Sequence, residues 1–306
     1  MLDVFTDRAF GGNPLAVFTN GDGIPDATMQ SIARELNLSE TTFVLPPDDS
    51  QNTCRVRIFT PGSELPMAGH PTIGTAFVLA REGLVRPSDA KTTIVFEEGV
   101  GPVPVSIDWK GGAPGFIEMR QPLPKFGPRF EDAKSIAEML SLEARDILET
   151  NLPIEVVSCG VPFLFVPINS LEAMERIRFR LDLWDHMLLG WAAQGVFVFT
   201  KGGRFSGSDV HSRMFAPGLG VHEDPATGGA SGPLGCYLVR HQVISPESEL
   251  RFVSEQGIEM GRPSFIKIRI GHRRGEITDV RVGGTCQYMG SGILELADLP
   301  PLEQRA

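Results

Sequence analysis

Hydrophobic residues recur along this chain with two periods. In residues 26–36, Met29, Ile32, Ala33 and Leu36 fall on one face of a 3.6-residue turn, which predicts an amphipathic helix. Residues 15–18 form a short apolar run. Residues 40–45 and 53–59 alternate or run apolar with β-branched side chains, which predicts strands. Residues 72–81 are apolar nearly all round (Ile73, Ala76, Phe77, Val78, Leu79, Ala80), the pattern of a helix buried on every side. The same order returns later: 195–200 reads like the strand after position 40, and 230–240 like the buried helix. Helices are expected at 133–138 and 142–149. Residues 110–128 are dense in glycine and proline, so a crossover between two domains is expected near there.

The returning order is a duplication, visible residue by residue. Arg57-Ile58-Phe59-Thr60-Pro61-Gly62 leads to Ala68-Gly69-His70-Pro71-Thr72, and Arg213-Met214-Phe215-Ala216-Pro217-Gly218 leads to Asp224-Pro225-Ala226-Thr227-Gly228-Gly229. Gly12-Asn13-Pro14-Leu15 resembles Gly160-Val161-Pro162-Phe163. Gly74 matches Gly232, Val85 matches Val243, and Glu97-Glu98-Gly99-Val100 matches Glu255-Gln256-Gly257-Ile258. Each half ends a repeated block in a glycine-rich turn before a helix. Two such turns facing one cleft would each supply a helix N-terminus and a polar group. A helix wrapped by strands is the simplest packing that buries it all round.

Composition narrows the partners. A chain of 306 residues with 42% apolar and 22% charged residues suits two ordinary globular domains. A net charge of -10 argues against nucleic acid. No apolar run is long enough to cross a bilayer, and the first residues lack the basic start and apolar middle of a signal peptide, so no membrane partner and a cytoplasmic location are expected. Cys54, Cys159, Cys236 and Cys286 are widely spaced without a Cys-x-x-Cys pair, against a zinc site or a disulfide framework.

Three residues could carry chemistry. Glu40 opens a strand, and its repeat partner reads as Gln194, so the repeated scaffold does not demand a carboxylate there. It is either a solvated strand end or, partly desolvated beside a cleft, a general acid or base. His70 stands in a Gly-His-Pro-Thr turn ahead of a buried helix, where it either caps its own turn or passes a proton to a ligand held by the free N–H groups. Asp224 is either a helix cap or the functional counterpart of the His70 turn. Gly228 and Gly229 would let a ligand approach the backbone. His211 and His222 lack metal-ligand spacing and read as structural or exposed; no metal site is expected.

Several stretches together resemble the PhzF-like isomerase family of phenazine biosynthesis, within the diaminopimelate epimerase-like fold. They are Asp3-Val4-Phe5-Thr6 with Phe10-Gly11-Gly12-Asn13-Pro14, Leu38-Ser39-Glu40-Thr41-Thr42-Phe43-Val44, Glu64 through Ala76 around Gly69-His70-Pro71, Glu223-Asp224-Pro225-Ala226-Thr227-Gly228, and Glu255-Gln256-Gly257 through Ser264. The resemblance covers nearly the whole chain.

It implies an α/β (α+β) fold of two pseudo-symmetric domains, each a strand barrel around a central helix. The expected domains are 1–118 with about 286–306, and 119–285. The family's catalytic glutamate, histidine and aspartate carry over to Glu40, His70 and Asp224, and its backbone contacts to the substrate carboxylate to Gly69 and Gly228. The family often has Asp-Pro-Ala-Thr-Gly-Ser where this chain has Gly229, which puts the individual substrate in question more than the reaction. The implied activity is a cofactor-independent proton shift on a small cyclic or conjugated carboxylate such as trans-2,3-dihydro-3-hydroxyanthranilate, and a homodimer is the assembly the family would allow. Two other readings stand beside it. An epimerase or racemase on this fold needs a thiol at each helix entrance, where this chain has His70 and Gly228-Gly229. A binding module would keep the scaffold without turnover. No Gly-x-Ser-x-Gly or Gly-x-Gly-x-x-Gly turn supports a serine hydrolase or a dinucleotide enzyme.

Overall fold

The computed structural model describes residues 1–193, 195–244, 249–273 and 276–296. The first half runs β1 (Leu2–Val4), β2 (Asn13–Phe18), α1 (Asp26–Leu36), β3 (Glu40–Leu45), β4 (Cys54–Phe59), β5 (Glu64–Leu65), α2 (Gly69–Arg81), β6 (Lys91–Glu98), β7 (Gly101–Lys110), β8 (Ala113–Arg120) and β9 (Lys125–Arg129). The second continues through α3 (Ala133–Leu140), α4 (Arg145–Leu148), β10 (Glu155–Ser158), β11 (Pro162–Pro167), α5 (Leu171–Arg176), α6 (Leu181–Met187), β12 (Gly195–Lys201), β13 (Val210–Ala216) and β14 (Val221–Asp224). It ends with α7 (Gly228–Arg240), β15 (Glu249–Gln256), β16 (Ser264–Arg273), β17 (Glu276–Gly284) and β18 (Cys286–Tyr288).

The duplication reappears in the strand pairing. β2 runs parallel to β3 and β11 to β12, while β4 runs parallel to β6 and β13 to β15; the remaining neighbours within each half are antiparallel. Each half curls its strands around one helix. Every residue of α2 except Arg81 is buried, and α7 is buried from Gly228 to Leu238. A helix apolar on all sides is stable only where strands cover all sides, which is why the pattern at 72–81 required this wrapping. Strand β3 is buried on both faces. Thr42 points to α2, where its hydroxyl lies 2.9 Å from that of Thr75, while Phe43 and Leu45 pack outward on Met29, Ile32 and Ala33 of α1.

Pairings also tie the halves together. β8 pairs with β17 across the molecule. β9, which follows the strands of the first half, pairs with β10 of the second, and β18 returns to pair with β1. The C-terminal return expected from about residue 286 is thus described as far as 296, and the rest of it lies outside the described residues.

Two local expectations change. The glycine- and proline-rich stretch 110–128 carries β8 and most of β9: Gly111 and Gly112 have φ of 59° and 82°, the geometry of a tight β7–β8 turn, and Ile117 and Met119 are fully buried. The expected boundary at 118 therefore lies inside a strand. The helix read at 142–149 is a single turn, Arg145–Leu148, because Ser141 adopts a left-handed conformation and the Leu142 N–H bonds back to the Ala137 carbonyl, closing α3.

Candidate active site

Helices α2 and α7 meet N-terminus to N-terminus. A Cβ on Gly69 would sit 2.3 Å from the carbonyl carbon of Gly228, and one on Gly228 would sit 2.8 Å from the Phe5 ring. Only glycine allows this approach. The contact aims two sets of free backbone N–H groups, and the positive ends of two helix dipoles, into one space between the halves.

That space is a cavity of about 30 Å³ lined by Glu40, His70, Asp224, Gly69, Gly228 and Gly229, with Thr227 and the apolar side chains of Met67, Phe163 and Met214. All six residues singled out in the sequence therefore come together. Glu40 Oε2 lies 3.3 Å from His70 Nε2. Gln194, the expected counterpart of Glu40, lies outside the described residues. The register gives Gly195 instead: Leu15 pairs with Glu40 as Phe163 pairs with Gly195. Either way the second half has no carboxylate there.

Asn13, at the start of β2, orders the polar side of the cavity. Its amide nitrogen donates to Asp224 Oδ1 at 2.8 Å and to the Ala226 carbonyl at 2.9 Å, and it faces His70 Nδ1 at 3.1 Å. An amide nitrogen cannot accept a hydrogen bond, so the ring nitrogen facing it, Nδ1, is the unprotonated one and the His70 proton sits on Nε2, toward Glu40. Arg262 holds the turn that carries Asn13 by bonding the carbonyls of Gly11 and Gly12 and pairing with Asp3 at 2.6 Å.

Burial sets the protonation states. Desolvation pushes the His70 pKa down to about 3, so the ring is neutral near neutral pH. Glu40 is raised well above the carboxylate range, first by burial and then by the charge of Asp224. Burial also raises Asp224, but Thr227, Ser39 and Asn13 each donate to its carboxylate and oppose that shift. The two acids are therefore pushed apart: Asp224 is the better-stabilised anion, and Glu40 is the group poised to gain or lose a proton.

Gln256, the last residue of β15, braces the turn before α7. Its amide nitrogen donates to the Asp224 carbonyl and to Thr227 Oγ1, and its oxygen accepts from the Thr227 N–H. Thr227 in turn donates to Asp224 Oδ2. Asn13, Thr227 and Gln256 all stood inside conspicuous sequence motifs. Their partners lie up to 213 residues away, and no local pattern reveals such pairs.

Other expectations concern residues outside the cavity. His222 is exposed, and His211 is fully buried between Glu255 and Glu259 at 2.8 and 3.0 Å, a structural clamp. Among the described residues no cluster of His, Cys, Asp or Glu could hold a metal ion. No cysteine lines the cavity. Cys159 and Cys236 are free thiols buried against each other, and Cys54 is pushed up to about 12 by burial and then by Glu97 and Glu98, so a two-thiol racemase is not what this site is built for. No described helix is long and apolar enough to cross a membrane.

Comparison with known proteins agrees with this architecture. The family model described as phenazine biosynthesis-like protein matches residues 2–292. An uncharacterized isomerase of Mesorhizobium japonicum is 37% identical over 96% of this chain and 97% of its own. The trans-2,3-dihydro-3-hydroxyanthranilate isomerase of Pseudomonas fluorescens is 35% identical over 97% of this chain and 98% of its own. The crystal structure of a phenazine biosynthesis protein from Bacillus anthracis superposes with a TM-score of 0.83 at 28% identity, covering 94% of this chain and 95% of that one.

Proposed function

The chain belongs to the phenazine biosynthesis-like family of isomerases, and from that premise we propose that it shifts a proton on a small cyclic, conjugated carboxylate of the trans-2,3-dihydro-3-hydroxyanthranilate type. The observation that carries the reading is the facing pair of Glu40 and His70 in a small cavity between two helix N-termini.

Glu40 takes a proton from a carbon activated by conjugation to the carboxylate. The electron pair delocalises over the π-system, and Glu40 returns the proton to another carbon of it, so C–H bonds broken and formed balance. A carboxyl raised toward neutrality suits both directions of that exchange. The neutral His70 offers its Nε2–H to an oxygen on which charge develops. Asp224, held in place by its hydrogen bonds, binds the amino or hydroxyl group of the substrate. The N–H groups at Gly69 and Gly228 receive the substrate carboxylate, supported by both dipoles. Gly229 leaves open space where a hydroxyl would otherwise stand.

A cavity of about 30 Å³ holds one water molecule and no ring. Substrate entry therefore requires the halves to part, and their closure excludes water from the proton transfer.

The test is proton NMR in deuterated water with trans-2,3-dihydro-3-hydroxyanthranilate, comparing wild type with Glu40→Ala. Turnover with deuterium incorporation in wild type, lost in the variant while its fold is kept, is expected. Silence from both proteins would overturn the substrate assignment. Thermal stabilisation by cyclic amino or hydroxy acids without turnover would favour a binding module instead.

A further inference from the structure

Glu98 is the last residue of β6, 7% exposed and remote in sequence from the catalytic turn, yet its carboxyl is built into the start of α2. Its Oε1 lies 2.5 Å from Thr72 Oγ1, and Thr72 Oγ1 lies 2.7 Å from the carbonyl oxygen of Ala68. Thr72 has one hydroxyl proton. The carbonyl can only accept, so that proton goes to Ala68, and the short contact with Glu98 needs a second proton, which only a protonated Glu98 supplies. The proton chain then runs Glu98 O–H to Thr72 to Ala68. Ala68 is the residue from which α2 starts, and Gly69 and His70 follow it directly.

The repeat gives an independent reason. Glu98 and Gln256 are the final residues of the matching strands β6 and β15. Gln256 Nε2 donates to Thr227 Oγ1 at 2.9 Å, and Thr227 is the residue from which α7 starts. The second half thus holds its helix entrance with a neutral amide where the first half uses a carboxyl, through Thr227 just ahead of α7 rather than through Thr72 in the first turn of α2. The preceding pair behaves differently and alike: Glu97 accepts the N–H groups of Asp48 and Asp49, Glu255 those of Arg204 and Phe205, so both fasten a loop, and Glu255 also clamps His211. We propose that Glu98 is a positioning residue that works as a neutral acid, holding the entrance of α2 so that Gly69 and His70 face Glu40.

The arginines near Glu98 are paired with other carboxylates. From β4, Cys54 approaches it as a buried thiol, and Arg55 is committed to Asp48. Arg57 is committed to Asp26 and Glu64. On its own strand Glu97 is engaged with the loop at 48–52, and from α2 the nearest titratable group is the neutral His70. Among the described residues Oε2 has no hydrogen-bond partner. Burial pushes the Glu98 carboxyl up to about 8, in keeping with the geometry.

The catalytic arm of the test rests on the reaction proposed above; the spectroscopic arm does not. Glu98→Gln and Glu98→Ala are compared with wild type. In infrared difference spectra near neutral pH, wild type minus Glu98→Gln should show one protonated-carboxyl band. Glu98→Gln should keep kcat within about twofold of wild type and lose the decline of activity at alkaline pH, whereas Glu98→Ala, still folded, should lower kcat by roughly tenfold or more through a displaced His70. The His70 imidazole NMR resonance should move in Glu98→Ala and stay in place in Glu98→Gln. Absence of the band, equal damage from both substitutions, or full kcat in Glu98→Ala would overturn the proposal. A wild type inactive on this substrate would sink the reaction assignment instead, and the band and the His70 resonance would still decide the role of Glu98.

Discussion

At Glu40 and Asp224 the local physics is a contest between burial and hydrogen bonding. Both carboxyls are buried, but Asp224 has three donors and Glu40 faces only a ring nitrogen at 3.3 Å. Because the Asp224 charge helps hold Glu40 up, Asp224→Asn should move the acid limb of kcat/KM to lower pH while reducing kcat. A pH–rate profile checks the direction, and a limb that moves upward would contradict the assignment of charge. Gly229 differs from its neighbour Gly228. A Cβ there would meet nothing closer than the Gly69 nitrogen at 3.7 Å and the Phe163 ring at 3.9 Å. Gly229→Ser should therefore change stability by no more than about 0.5 kcal/mol and act on KM, which thermal unfolding and substrate titration would separate.

The elements that matter most are the two helix entrances. Gly69→Ala would force a methyl against the Gly228 backbone and drive α2 from α7, at a cost of about 1–3 kcal/mol of the overpacking kind. Activity should fall more than stability, because the misplaced element carries His70. Urea unfolding beside kcat would show it. Glu98 adds a pH term of definite sign. Its folded pKa of about 8 is above that of an unfolded glutamate, so the folded chain holds a proton the unfolded chain lacks across that window. Its contribution is full below the ordinary glutamate range and is lost as pH rises toward about 8, at up to about 1.4 kcal/mol per pH unit. Glu98→Gln should flatten that decline in unfolding measurements between about pH 5 and about pH 8; an unchanged slope would count against a protonated Glu98.

In the whole molecule, strand exchange makes the halves interdependent. β1 has β18 on one side, β10 has β9, and β8 lies against β17. A fragment ending near residue 122 would expose the edges of β1 and β8 and should aggregate or stay unfolded when expressed alone. Co-expression with the remainder should restore a soluble complex, which gel filtration and circular dichroism would reveal.

The duplicated order of elements, the two buried helices and the strand-forming runs were readable in the amino-acid pattern because each depends on local periodicity. The six residues of the cavity were named by a family resemblance carried on local motifs, while the residue pattern alone left Glu40, His70 and Asp224 between structural and chemical roles. Residues 110–128 hold both a tight turn and the passage toward the second half, because glycine and proline mark a turn as readily as a linker and only pairing partners distinguish the two. The register that sets Glu40 against Gly195, the bonds of Asn13 to His70 and Asp224, and the brace from Glu98 to Thr72 arise between segments distant in the chain. Periodicity says which face of an element is buried. Which group waits on the other side, and therefore which carboxyl is charged and which keeps its proton, was decided by the tertiary structure alone, because desolvation and hydrogen bonding act through space.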